Sequence, residues 1–100
     1  MLESLSLEGK SVVITGGGTG LGRAMVRDMA RAGANLMIAG RRSGPIEEAA
    51  AEAESLGVKA FSEATDVTDS AQVAALMKAC MDRFGKIDVL LNNAGAVSDN

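Results

Sequence analysis

The 100 residues contain no histidine, tyrosine or tryptophan and a single cysteine, Cys80. Without histidine a Ser-His-Asp triad cannot be assembled, and one thiol with no imidazole leaves no zinc finger and no intramolecular disulfide. No metal centre is expected. A mechanism that needs a phenolic proton donor cannot be completed within these residues either. Two aromatic residues, Phe61 and Phe84, give no stacking platform for single strands, and a net charge of −3 gives no basic footprint, so nucleic acid is not an expected partner. Long apolar runs are missing, and Met1 to Lys10 carries Glu3 and Glu8 where a signal peptide needs basic residues before an apolar stretch. These features predict a soluble cytoplasmic protein with no membrane partner.

What is present is a 47% hydrophobic chain in which short β-branched runs alternate with helical periodicity. Ser11 to Thr15 reads as a first strand, followed by a glycine-rich turn and a helix from about Gly20 to Ala32 with Leu21, Met25, Met29 and Ala32 as its apolar stripe. Gly33 is expected in the left-handed region at its end. Asn35 to Ala39 forms a second strand. A second helix is predicted to open at Gly44-Pro45 with proline first, Glu47 and Glu48 in the first turn, and Ile46, Ala49, Ala50, Ala53 and Leu56 buried. Gly57 ends it, and Lys59 to Ala64 is the third strand. Asp69-x-x-Gln72 reads as a capping-box variant before a third helix with the stripe Val73, Leu76, Met77, Cys80 and Phe84. That stripe makes Cys80 a buried thiol rather than a reactive one. Gly85 closes the helix, and Ile87 to Leu91 is the fourth strand.

The β-α-β-α-β-α-β order predicts parallel strands joined by right-handed crossovers, and apolar strands without clean alternation predict helices on both faces of the sheet. One α/β domain of Rossmann type, doubly wound, with strand order 3-2-1-4 is the expected architecture. Residues 1–100 form one domain or one contiguous part of one.

Thr15-Gly16-Gly17-Gly18-Thr19-Gly20-Leu21-Gly22 lies between the first strand and the first helix. A glycine-rich turn there lets the backbone approach a ligand, and the unpaired N–H groups of the helix's first turn then face an anion such as a pyrophosphate. Gly16 would make the tight turn, Gly20 would permit close approach and Gly22 would let the helix pack near the sheet; a merely flexible turn is the plainer alternative. G-x-G-x-x-G has no match, and Gly22 is followed by Arg23-Ala24 rather than the Lys-Ser/Thr of a Walker A loop. The pattern that fits is T-G-x-x-x-G-x-G.

With Ala39-Gly40-Arg41 after the second strand, Asp66-Val67 after the third and Asn92-Asn93-Ala94-Gly95 after the fourth, the chain resembles the short-chain dehydrogenase/reductase family over its whole length. The resemblance implies a nicotinamide dinucleotide cofactor, with the loop positions Gly16, Gly18, Thr19, Gly20, Leu21 and Gly22 at the pyrophosphate end. It implies that Asp66 accepts from the adenine amino group with the Val67 backbone beside it, and that Asn93, Ala94 and Gly95 run along the cofactor ribose. Where an NAD-preferring fold places an acidic residue for the ribose 2′-OH, this chain has Gly40, followed by Arg41 and Arg42. A guanidinium fork pairs with a 2′-phosphate, so NADP(H) is expected over NAD(H). Thr19 is a departure, since many NADP-preferring relatives carry a basic residue inside the loop. Plainer readings stand beside these: Arg41-Arg42 as a solvated pair, Asp66 as a turn residue and Asn92-Asn93 as turn residues. Arg23, Arg27 and Arg31, and likewise Glu47, Glu48, Glu52 and Glu54, read as solvated helix faces.

Family members are more than twice this length, and their chemistry comes from a later serine, a Tyr-x-x-x-Lys pair and usually an asparagine. None can be assigned here, so no catalytic residue is named. The expected function is an NADP(H)-dependent oxidoreductase acting on a small carbonyl/alcohol substrate, represented by its cofactor-binding half, with a homo-oligomer implied for the full-length enzyme. A binding module without turnover and a methyltransferase on a similar sheet are the alternatives; Thr15 matches the acidic loop of the latter poorly. The fourth strand reads as an interior strand although the order puts it at an edge, which is the physical reason to expect a longer protein.

Overall fold

The computed structural model describes residues 6–93. Seven elements alternate: β1 (Ser11–Thr15), α1 (Gly20–Arg31), β2 (Asn35–Gly40), α2 (Ser43–Ser55), β3 (Ala60–Ala64), α3 (Ser70–Phe84) and β4 (Val89–Asn92). The strands pair in parallel in the order β3-β2-β1-β4, as the sequence predicts. Every residue of β1 is buried, as are Leu36 to Ala39 of β2, because helices cover both faces. Side-chain alternation divides the core. Val12, Ile14, Leu36 and Ile38 pack on one face with Val26, Ala30 and the α2 residues Ile46, Ala49, Ala50 and Ala53; Val13, Met37 and Ala39 pack on the other with Leu76 and Cys80 of α3. The register sets Thr15 level with Ala39 and Asn92, and Gly40 level with Ala64, so the strands end together along one rim.

The helices differ from expectation in instructive ways. In α1 the buried residues are Gly22, Val26 and Ala30, while Leu21 is 69% exposed. The stripe is turned by one residue, with Gly22 against the loop after β1 and Val26 and Ala30 in the core over the sheet, leaving Met25 and Met29 half-buried at the flank. Helix α2 begins at Ser43, so Pro45 is its third residue rather than its first, and no acid lies in the first turn. Proline fits there because the third N–H of a helix also lacks an intrahelical acceptor. Leu56, expected in the buried face, caps the helix at 39% exposure. Gly33, Gly57 and Gly85 end the three helices, as the sequence predicts, and the positive φ expected of Gly33 is shared by the other two.

Strand β4 starts at Val89, two residues later than the sequence suggests. The reason lies at Asp88, whose N–H donates to the Ser11 carbonyl and whose Oδ2 accepts from the Ser11 N–H at 2.9 Å, so a side chain takes the place of a ladder bond. Among the described residues β4 pairs only with β1, and Leu90 is 51% exposed. Neither Arg23 nor Arg27 is simply solvated: their Nε atoms donate to Glu52 Oε1 at 2.8 Å and Oε2 at 2.7 Å, which ties α1 to α2. Glu52 therefore does not belong to the solvent face with Glu47, Glu48 and Glu54. Among the described residues no helix is long and apolar enough to cross a membrane.

Candidate functional site

The loop after β1 is built by close approach. Gly16 turns the chain at φ +68°, and the Gly17 N–H donates to the Ala39 carbonyl at 3.2 Å, pinning the loop to β2. A Cβ on Gly17 would lie 2.7 Å from Ile38 Cγ2, and one on Gly18 would lie 2.8 Å from the Pro45 Cβ. A Cβ on Gly22 would collide with the Gly16 carbonyl. Gly22 thus packs against the loop and not, as its position suggests, against the sheet; Gly17 has the role of close packing over the strands. Gly20, at φ +57°, faces open space. Thr19 is the N-cap of α1, and its side chain makes no capping bond, nor does the first turn hold an acid. The N–H groups at that helix end are left to an outside acceptor.

Beside the loop is a cavity of about 130 Å³ lined by Gly16, Gly18, Thr19, Gly40, Arg41, Arg42, Pro45 and Ile46. Helix α2 also opens here without a side-chain cap, its N-cap being Arg42. By contrast α3, which opens elsewhere, is capped by Asp69 Oδ1 accepting from Ala71 N at 3.0 Å and Gln72 N at 3.4 Å. A Cβ on Gly40 would sit 2.8 Å from Ile46 Cγ2, so a side chain there would press on a buried neighbour. A larger cleft of about 330 Å³ runs along β3 between Glu47, Glu54, Glu63 and Arg83, and no loop residue reaches it.

Asp66 follows β3. Its Oδ1 accepts from Thr68 N at 2.9 Å and Thr68 Oγ1 at 2.6 Å, and Arg41 Nη2 stands 3.6 Å away. The Thr68 bonds first, and the Arg41 charge last, hold the Asp66 carboxyl below the usual range. The capping box is only half of one. Gln72 Oε1 accepts from the Asp66 N–H rather than from the cap residue's own N–H, because Asp69 N already donates to the Asp66 carbonyl.

At the end of β1, Thr15 Oγ1 donates to Asn92 Oδ1 at 2.7 Å and accepts from Asn93 N at 3.1 Å, while Asn93 Nδ2 donates to Met25 Sδ at 3.1 Å. Thr15, Asn92 and Val67 share a cavity of about 160 Å³ with Val73, Leu76, Met77 and Leu90.

The family model for short chain dehydrogenases matches residues 10–100. The chain belongs to that family. Among its relatives, hydroxysteroid dehydrogenase-like protein 2 of Xenopus tropicalis is 40% identical over 99 residues, covering 92% of this chain and 24% of that protein. The 7alpha-hydroxysteroid dehydrogenase of Escherichia coli K12 is 33% identical over 93 residues, 93% of this chain and 36% of the relative. A solved hydroxysteroid dehydrogenase from Escherichia coli superposes with a TM-score of 0.84 at 31% identity, covering 88% of this chain and 36% of that one. A short-chain type dehydrogenase/reductase from Mycobacterium marinum gives 0.83 at 33% identity, over 90% and 36%. The chain thus spans about a quarter to just over a third of the length of these relatives.

In this member of the family the structure gathers Gly16, Gly18, Thr19, Arg41 and Arg42 around one cavity, with Gly20, Leu21 and Gly22 in the adjoining first turn of α1. Asp66 is brought to Arg41, whereas Val67 turns to the separate cavity beside Thr15. Ala94 and Gly95 lie outside the described residues. Sequence reasoning passed over Pro45 and Ile46 as cavity walls and Gly17 as the packing glycine. The run Gly16-Gly17-Gly18 was the available signal for the last of these.

Proposed function

We propose that the intact protein is an NADP(H)-dependent oxidoreductase of the short-chain dehydrogenase type, and that residues 1–100 form its cofactor-binding domain. The observation that carries this reading is the cavity that unites the glycine loop with Gly40, Arg41 and Arg42. Its donor chemistry fits a phosphorylated dinucleotide: two guanidinium groups, two helix N-termini without side-chain caps and no carboxylate in the lining. When bound, the cofactor supplies hydride transfer between its nicotinamide ring and a carbonyl/alcohol pair. The protein's own part is to bind and orient. The N–H groups at Gly20, Leu21 and Gly22 receive the pyrophosphate, with Gly16, Gly18 and Thr19 allowing it to come near. Asp66 accepts from the adenine amino group with the Val67 backbone alongside, and Asn93, Ala94 and Gly95 follow the ribose.

Preference for the phosphorylated cofactor rests on two residues. A side chain at position 40 would crowd Ile46, which disfavours the acid that an NAD site uses. Arg41 is 71% exposed and pairs with Asp66 only at 3.6 Å, an exposed contact weak enough to leave the guanidinium available. One charged hydrogen bond of about 1.5–3 kcal/mol corresponds to a preference of about ten- to a hundredfold.

Titration of the intact protein with NADPH and NADH tests this reading. Tighter NADPH binding that falls toward the NADH value in Arg41→Ala is expected, and tighter NADH binding would overturn it. Because relatives of this chain are named hydroxysteroid dehydrogenases, steroid alcohols are the first substrates to assay. A cytoplasmic homo-oligomer completes the proposal, checked by fractionation and by sedimentation.

A further inference from the structure

Asp66 is gripped from the first turn of α3 at both of its backbone groups. Its carbonyl accepts from Asp69 N at 3.0 Å, and its N–H donates to Gln72 Oε1 at 2.8 Å. The amide of Gln72 can stand only one way round, because its Nε2 donates to Asp69 Oδ2 at 3.1 Å and a carboxylate requires the NH₂ end. Asp69 is itself bound to the helix through Ala71 N and Gln72 N. A capping-box side chain ordinarily serves its own helix by returning to the cap residue. Gln72 reaches three residues further back instead, so its acceptor serves position 66.

With its N–H and carbonyl fixed from α3, and Oδ1 taken by both donors of Thr68, Asp66 has little freedom left. No hydrogen bond among the described residues reaches Oδ2. We propose that Gln72 is a positioning residue for adenine recognition, holding the Asp66 backbone so that Oδ2 is presented to the exocyclic amino group. This rests on the reading above that Asp66 meets the adenine.

The test uses the intact gene product and whichever of NADPH or NADH binds more tightly, compared with its hypoxanthine counterpart. Hypoxanthine carries a carbonyl in place of the amino group, so it offers Asp66 an acceptor where adenine offers a donor. Wild type is expected to bind the adenine form about tenfold more tightly or better. Gln72→Met, which keeps the length and loses both bonds, reduces that ratio to below about threefold while affinity for the hypoxanthine form stays put. Gln72→Ala gives the same readout without added bulk, and Gln72→Glu paired with Asp69→Asn, which keeps the acceptor for the Asp66 N–H and turns the Asp69 Oδ2 position into a donor, restores the ratio. If the variants lower both affinities alike and keep the wild-type ratio, Gln72 is only a helix cap and the inference fails while the Asp66 reading stands. If wild type itself does not distinguish the two forms, both fail.

Discussion

A Cβ on Gly22 would fall 2.7 Å from the Gly16 carbonyl carbon and nearer still to its oxygen, so loop and helix share one space only because residue 22 has no side chain. The obstacle is backbone, which cannot swing aside. Gly22→Ala is expected to lower stability by about 1–3 kcal/mol through overpacking, and to weaken dinucleotide binding at least about tenfold by displacing the loop. Urea unfolding and cofactor titration of the intact protein measure both. Unchanged values would show that the loop yields at no cost.

Glu52 holds α1 to α2 through Arg23 and Arg27. The hydrogen bond from Arg27, then that from Arg23, lowers its pKa beneath the ordinary 4.5. A carboxylate depressed in the folded state contributes fully above its unfolded value and loses that contribution as pH falls through the folded one. Wild type is therefore expected to exceed Glu52→Gln in urea midpoint at neutral pH, with the gap closing as the pH is taken below 4.5. A gap that persists in acid would mean that the difference does not come from ionisation.

Leu76 is fully buried between α3 and the strands, whereas Met81 on the same helix is 47% exposed. Leu76→Ala should cost about 2–5 kcal/mol by lost transfer and cavity formation, and Met81→Ala about 0.5 kcal/mol or less. Equal losses would contradict the packing of α3 described above.

Cys80 has no exposed surface, and its Sγ lies 3.7 Å from the Lys86 carbonyl. Burial first, and the nearby Asp88 charge second, push its thiol pKa up. Reaction with a thiol reagent at pH 8 is expected to be about a hundredfold slower in the native state than in urea, and to follow the opening of the fold. Rapid native labelling would refute the buried assignment.

The sequence revealed what backbone geometry forces and hid what depends on neighbours. Gly33, Gly57 and Gly85 mark helix ends because a left-handed residue is needed there, and β1 follows from its β-branched run, whereas β3 (AFSEA) has no β-branched residue and is marked by its place between two helices. The buried face of α1 was harder. Leu21-Met25-Met29 and Gly22-Val26-Ala30 have the same spacing, and only the contact of Gly22 with the loop selects the second. Pro45 at the first or the third helical position satisfies the same rule about orphan N–H groups, so composition could not choose. The bonds of Arg23 and Arg27 to Glu52 join residues 29 and 25 positions apart in sequence, and the Gln72 bond to Asp66 bypasses the nearer donor, the Asp69 N–H, that its motif implies.

The buried members of the larger core cluster all lie between Val12 and Ala60, and the walls of the cavity lie between Gly16 and Ile46. During synthesis, then, one face of the sheet has all its principal partners before α3 has left the ribosome. The corner between the glycine loop and α2 can take shape on the nascent chain, while β1 keeps one edge unpaired until Val89 emerges.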